Sequence, residues 1–577
     1  MRHELNWKSD EPDVRKKCAQ APQVIILGLV CWLCANAHGL SEDQPAPVDA
    51  AIYGILPEES QYQHWAFLPI CRPVAPVEFA ARGANAIDAF VAARLREKGL
   101  EPAPPADART WLRRVTFDLT GLPPAAEDVA DLAASDGPAA RSRAVERLLA
   151  DPNYGVRWGR RWLDVVRYAD TNGYERDGAK SSSWRYRDWV IDSLNHDKPF
   201  DRFLIEQLAG DELEDRSAET QIATTFLRLG TWDDEPADPV VDRYEQLDDI
   251  VGTVTTAFLG MTLRCARCHN HKFEPLSQID YARMLAVFDP LKRPQDGRKD
   301  LDVAVGTDRE LKEHQAAAER QGAALRAVRE QLAALDRQVR ERYLAGAPRR
   351  VSPEIFAVLK IPAEQRSAEQ KMRVEKADSD LQADLADVRT ADEQRQHDTF
   401  ASALQVLERA APAPLPRAYI WQEPGTAAPV TQVFRRGNPT TPAGSVEPGL
   451  PVVLARSGIE WAPVPVQAAS AGAAAVRGGT TGRRLALARW MTDPRNPLVA
   501  RVIVNRLWQG HFGEGLVSSE SDFGVMGSPP SHPELLDWLA GSLIDNGWSL
   551  KSIHRQIVLS ATYAQSSGWL DEAARVD

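Results

Sequence analysis

At 577 residues, 44% apolar and 26% charged, the chain has the composition of ordinary globular protein and is too long for one core, so about three or four compact units are expected. The formal net charge of -12 keeps such a protein in solution and offers no basic field for gathering phosphates, which excludes nucleic acid as an expected partner. Six cysteines do not make a disulfide framework, because Cys18, Cys31 and Cys34 fall in an N-terminal leader and only Cys71, Cys265 and Cys268 remain.

The leader has the parts of a secretory signal over 1–37. Arg15-Lys16-Lys17 supplies positive charge, Val24 to Leu33 an apolar run, and Ala35-Asn36-Ala37 small residues for cleavage. Export to the periplasm or the exterior is the expectation. The polar residues that follow at once (His38, Ser41, Glu42, Asp43) weigh against a spanning helix and leave an uncleaved membrane anchor as the alternative. Residues 38–60 read as a Pro- and acid-rich linker.

A helical domain is expected over 61–295. Ile87, Phe90, Val91 and Leu95 recur at helical spacing after Asn85, with Gly99 where a C-terminal cap belongs. Trp111 to Leu119 and Arg141 to Leu149 continue the pattern, ended by Gly121-Leu122-Pro123-Pro124 and Asp151-Pro152-Asn153. Trp158, Trp162 and Val165 share one face, and Trp184 to Leu194 forms another helix; most of the 16 Trp are expected in packing rather than on a sugar-binding surface. Asp170 and Glu175 could act as a glycosidase pair, but acids near arginines are more often ion-paired. Asp233 to Asp238, followed by Asp242, is an acidic loop that could offer oxygens to Ca²⁺, or simply a solvated turn.

A long helix, Tyr244 to Leu259, then delivers the chain to Arg264-Cys265-Ala266-Arg267-Cys268-His269-Asn270-His271. This contains C-x-x-C-H, the spacing that lets two thiols on one turn join a haem while the next imidazole meets the iron. Haem c on Cys265, Cys268 and His269 is the first reading. A sixth ligand is sought among His271, Lys272, Met261, Met284 and a distant His, His511 or His532, each of which reads otherwise as a hydrogen-bonded structural His; a Met would raise the potential and a His would lower it. The second reading is a Zn-type site using Cys265, Cys268 and one of His269 or His271, closed by Glu274 or a remote residue. A redox disulfide is the third, and the flanks lack its strand-to-helix pattern.

The runs Phe117 to Pro124, Arg167 to Tyr174, Trp232 to Asp238 and Cys265 to Pro275 resemble the planctomycete-type secreted cytochrome-c-like family, in which this domain precedes a C-terminal partner domain of unknown function. The resemblance implies a haem-bearing exported protein in electron transfer. A redox protein would be its partner; the alternative from another class is an exported binding or assembly module for cell-envelope polysaccharide, with the Trp and Tyr clusters as its surface. The separate N-terminal cytochrome c domain of many such proteins is not expected here, since the leader runs almost directly into Trp65.

Leu311, Ala318, Leu325, Leu332 and Val339 recur every seven residues, joined by Val328 and Leu335, so 301–411 reads as a coiled-coil hairpin able to make protein contacts, with a second helical run folding back from Ala363 to Arg409. Residues 412–480, rich in Pro and Gly, read as a β-rich link. From 481 to 577 helix resumes, with Asn496-Pro497 as a cap. The runs Asn505 to Trp508, His511 to Gly513, Asp522 to Gly524 and His532 to Leu539 resemble the partner domain. That resemblance implies continuation beyond Ser567, so an incomplete C-terminal domain is expected. The fold class expected is thus mainly α and multidomain: a helical cytochrome-like domain, a coiled-coil hairpin, a short β-rich link and a C-terminal helical domain.

Overall fold

The computed structural model describes residues 46–76, 85–134, 136–467 and 479–568, so the leader read over 1–37 lies outside the described residues. The chain is mainly helical, 56% helix against 5% strand. Strand is confined to three antiparallel two-stranded pairs among the described residues. In the stretch read as β-rich, Gln432–Phe434 pairs with Pro442–Ser445, in the register Gln432↔Ser445 with an irregularity after Val433, and Arg417–Ala418 pairs with Val303–Ala304. Among the described residues no helix is long and apolar enough to cross a membrane.

The chain divides into two compact units, one running to Val305 and resuming at Arg417, the other Gly306–Pro416. In the larger unit the local signals act as their chemistry dictates. Asn85 and Asp88 form a reciprocal capping box on the Ala86–Glu97 helix, and Gly121 closes Ala108–Thr120 in the left-handed conformation at φ +74. The Pro239–Leu259 helix begins five residues before the expected start at Tyr244, because Asp238 accepts from Val240 and Val241 N–H and Pro239 suits the first turn.

The segments read as two domains, 61–295 and 481–577, share one hydrophobic core in this unit. Their polar seams are specific. Asp88 accepts from Ala561 N–H (3.0 Å), Thr562 N–H (2.7 Å) and the Thr562 hydroxyl (2.8 Å). The Trp111 indole donates to the Val558 carbonyl, and Asp197 receives the Ser549 hydroxyl at 2.6 Å. Buried Arg501 grips Asp537 at 2.6 and 2.9 Å and donates to the Leu68 carbonyl, which clips the N-terminal strip to the C-terminal helices. Aromatic stacking fills the interior, Trp189 lying on Phe203 at 4.9 Å with rings 10° apart. Cys71, read as one of three cysteines left beyond the leader and too few for a disulfide framework, is disulfide-bonded.

In the smaller unit the Asp308–Ala345 helix, capped by Thr307 and Glu310, packs antiparallel on Ala391–Arg409. Gln321 donates to the Leu407 carbonyl, Arg329 pairs with Glu408 at 3.2 Å, and Arg342 pairs with Glu393. Its core gathers Leu335, Val339, Tyr343, Phe356, Leu381 and Leu385 around buried Asp384, which receives the Tyr343 hydroxyl and the N–H groups of Arg349, Arg350 and Val351.

Candidate functional site

The Pro239–Leu259 helix ends on Gly260 at φ +57, where a Cβ would stand 3.1 Å from Phe523 and Val502. Only glycine permits both that backbone and that approach, and the Gly260 carbonyl accepts from Phe523 N–H at 2.7 Å. The chain then makes one 3-10 turn, Leu263–Arg267, before the Gln278–Phe288 helix.

Behind the turn stands Asp248, 1% exposed. One of its oxygens accepts from Arg264 Nε at 2.5 Å and Arg267 Nη1 at 3.3 Å; the other accepts from the Tyr281 hydroxyl at 2.8 Å. A single carboxylate therefore holds both arginines that bracket Cys265 and ties the turn to the helices on either side. Burial works to lower the Arg264 pKa, but the Asp248 charge and hydrogen bond outweigh it and the net shift is upward. Burial, then Asp248, pushes the Tyr281 hydroxyl well above its ordinary range. Replacing Asp248 by Ala should cost the larger unit about 1–3 kcal/mol in denaturant unfolding and speed thiol labelling of Cys265 and Cys268; unchanged stability and labelling would show that the turn does not depend on it.

In front of the turn, Cys265 and Cys268 are free and exposed, and so is His269. His269 Nδ1 lies 2.8 Å from the Asn270 carbonyl, which assigns the proton to Nδ1 and leaves the Nε2 lone pair open. Gln278 braces the turn by donating to the Arg267 carbonyl at 2.9 Å and the Phe434 carbonyl at 2.6 Å. Gly437, at φ +68, closes over Cys268 so tightly that a Cβ would lie 2.7 Å from Sγ. The gap between the turn and the strand pair Gln432–Phe434 with Pro442–Ser445 on that inner side is about 10 Å³, so a large planar group would have to lie on the solvent face.

The other candidates stand apart. His271 Nδ1 accepts from Glu274 N–H at 2.8 Å and Phe273 N–H at 3.3 Å, and burial lowers its pKa against the opposing charge of Glu274. Met261 and Met284 are packed in the apolar core. Lys272 lies over the Phe273 ring at 5.0 Å. His511 is fully enclosed: its Nε2 is 2.8 Å from His554 Nδ1, its Nδ1 is 3.5 Å from Asp118, and Trp158 covers both rings at 5.1 and 4.1 Å. His532 is half-buried, with Nδ1 3.0 Å from the Ser531 hydroxyl.

Sequence reasoning missed Met526. Buried Glu274 accepts from Met526 N–H at 3.2 Å, which sets the 522–527 loop against the motif and leaves Phe273, Val525 and Met526 as exposed apolar side chains. The available signal was the Asp522-Phe523-Gly524 run, read only for its resemblance.

The acidic loop is spent on its neighbours, Asp234 and Glu235 pairing with Arg176 and Asp238 capping its helix. Asp170 accepts from the Tyr168 hydroxyl at 2.6 Å. Among the described residues no three His, Cys, Asp or Glu side chains gather to hold a metal, so a Zn-type site would need ligands brought to the turn.

The fold and the turn thus define a mainly helical protein in which an N-terminal segment carrying a thiol–imidazole turn is fused to a C-terminal helical segment. Residues 86–293 match the family described as "Protein of unknown function (DUF1549)", and residues 483–577 match that described as "Protein of unknown function (DUF1553)". No curated protein and no solved structure matches the chain.

Proposed function

We propose that this chain is an exported c-type haem-binding protein of the planctomycete-type secreted cytochrome-c-like family and serves electron transfer. The observation that supports this best is the presentation of two free thiols and an imidazole on one exposed turn, with Nε2 left open by the Asn270 contact. The donor set fits: Cys265 and Cys268 would form the thioethers, and His269 would be the iron ligand. A haem bound there supplies a one-electron couple. The chain's own part is to hold the turn rigid through Asp248, to fix the His269 tautomer, and to offer Phe273 and Met526 as apolar surface beside it.

The test is expression with its leader in a host that matures c-type cytochromes. A haem-staining band after denaturing electrophoresis, with Soret absorption, is expected, and both vanish in Cys265→Ala, Cys268→Ala. A colourless, folded product that retains stoichiometric zinc would overturn the proposal in favour of the Cys/His metal site.

A further inference from the structure

The run Phe117 to Pro124 takes no part in the cysteine turn and ends the Ala108–Thr120 helix on a surface of its own. Gly121 lies so close to the Asn153–Val165 helix that a Cβ there would stand 3.3 Å from Arg157 Cδ. Arg161, one turn further along, donates to the Gly510 carbonyl at 3.1 Å and so reaches the end of the Val499–Phe512 helix. The Phe512 ring meets Tyr563 edge-on at 6.0 Å, and the Tyr563 hydroxyl donates to Asp118 at 2.7 Å, which closes the circuit on the first helix. Around this circuit Phe117, Leu122, Val156 and Phe512 are exposed apolar side chains.

Arginine is concentrated on the same surface. Arg113 and Arg160 are exposed, and Arg114, Arg157 and Arg161 are half-buried. Among the described residues no carboxylate lies within ion-pair distance of any of the five, whereas Arg147 and Arg555, on other helices of the same unit, are matched by Asp128 and Glu146. Arg114 donates to the Tyr563 and Gln565 carbonyls, which leaves its charge uncompensated, and Arg157 Nε and Arg161 Nε are enclosed without a hydrogen-bond partner among the described residues. The acids on these elements are fewer: Asp118, already held by Tyr563 and 3.5 Å from His511 Nδ1, Asp164, and Glu514 just past Phe512. Burial, then the Arg157 charge, lowers the pKa of Arg161, with Asp118 and Asp164 opposing. Like charges held together cost the folded chain, and an anion supplied from outside relieves that cost.

We propose that this surface docks on an anionic membrane, its arginines engaging lipid phosphates while Phe117, Leu122 and Phe512 enter the headgroup boundary. Lipid accepts arginines and apolar side chains interspersed, as they are here, and each cation near an anionic leaflet adds to the attraction. A protein of net charge -12 is repelled by such a membrane as a whole, so attachment has to come from a local patch. The full chain, exported and purified, is sedimented with vesicles of phosphatidylglycerol and phosphatidylcholine in equal parts, with vesicles of phosphatidylcholine alone, and passed over immobilised polyglutamate. Binding to the anionic vesicles only, weakened by salt, is expected; it falls at least about tenfold in the double variant Arg113→Glu, Arg160→Glu and about threefold in Leu122→Ser. Arg113, Arg160 and Leu122 are exposed, so all variants should melt as the parent does. No sedimentation with anionic vesicles, equal sedimentation with neutral ones, or an affinity unchanged in the arginine variant would overturn the proposal. Retention on polyglutamate without vesicle binding would overturn it in favour of an acidic protein. None of these residues belongs to the cysteine turn, so the outcomes do not depend on haem attachment.

Discussion

Arg484→Met should destabilise the larger unit by about 3–5 kcal/mol, the cost of stripping a fully buried cation from a buried ionic cluster. Arg484 is 1% exposed and contacts Asp211, Glu212 and Glu423, two of which have side chains with no exposure at all. Methionine fills the volume but leaves carboxylates stranded away from water, so they must take up protons or draw water inward. Glu212→Gln should cost much less, because burial pushes that carboxyl up to about 8 and so favours its neutral form. Urea unfolding followed by tryptophan fluorescence measures both. A loss below about 1 kcal/mol in Arg484→Met would mean the cluster relaxes onto solvent and does not organise this region.

Acidification should weaken the same unit through His511 and His554. Burial lowers the pKa of His511 against the pull of Asp118; burial, then neighbouring His511, lowers that of His554 far below 6.5. The other charged groups facing the pair, Arg157, Arg161 and Lys551, also repel a proton, and the Tyr154 and Tyr563 rings pack around it. The sign follows from linkage. Below about pH 6.5 the unfolded chain binds protons that the folded pair refuses, so stability is complete above that pH and falls as pH drops toward the folded values. Two histidines give a slope of up to about 2.7 kcal/mol per pH unit. The His554→Leu variant should show roughly half that slope between about pH 6.5 and pH 5.5 in unfolding titrations. Identical slopes in parent and variant would show that His554 titrates as freely folded as unfolded and contributes nothing to the acid loss.

Local chemistry was legible because caps and periodicity are written in neighbouring residues. Asn85 and Asp88, Gly121, Asp238-Pro239 and the seven-residue stripe ending at Val339 each announce an element that the structure contains. Periodicity reports that a face is buried but not what buries it. Hence Asp88 reads as a cap residue, while its bonds to Ala561 and Thr562, more than 470 positions away, cannot be read. The candidate site divides the same way. Cys265, Cys268 and His269 stand out by spacing. Asp248, Gly437 and Met526 reach the turn only through tertiary packing, and Met261 and Met284, attractive by proximity in sequence, are packed inside. The enclosure of His511 with His554 and the ionic cluster around Arg484 arise where remote segments meet, which no local pattern encodes.

The antiparallel pairing of Val303–Ala304 with Arg417–Ala418 places the departure and return of the intervening chain side by side within the larger unit. A main body whose two loose ends already touch does not need what is strung between them in order to close. Over evolutionary time that span is therefore free to lengthen, shorten or be exchanged wholesale, and a short turn joining Ala304 to Arg417 would be enough to seal the body without it.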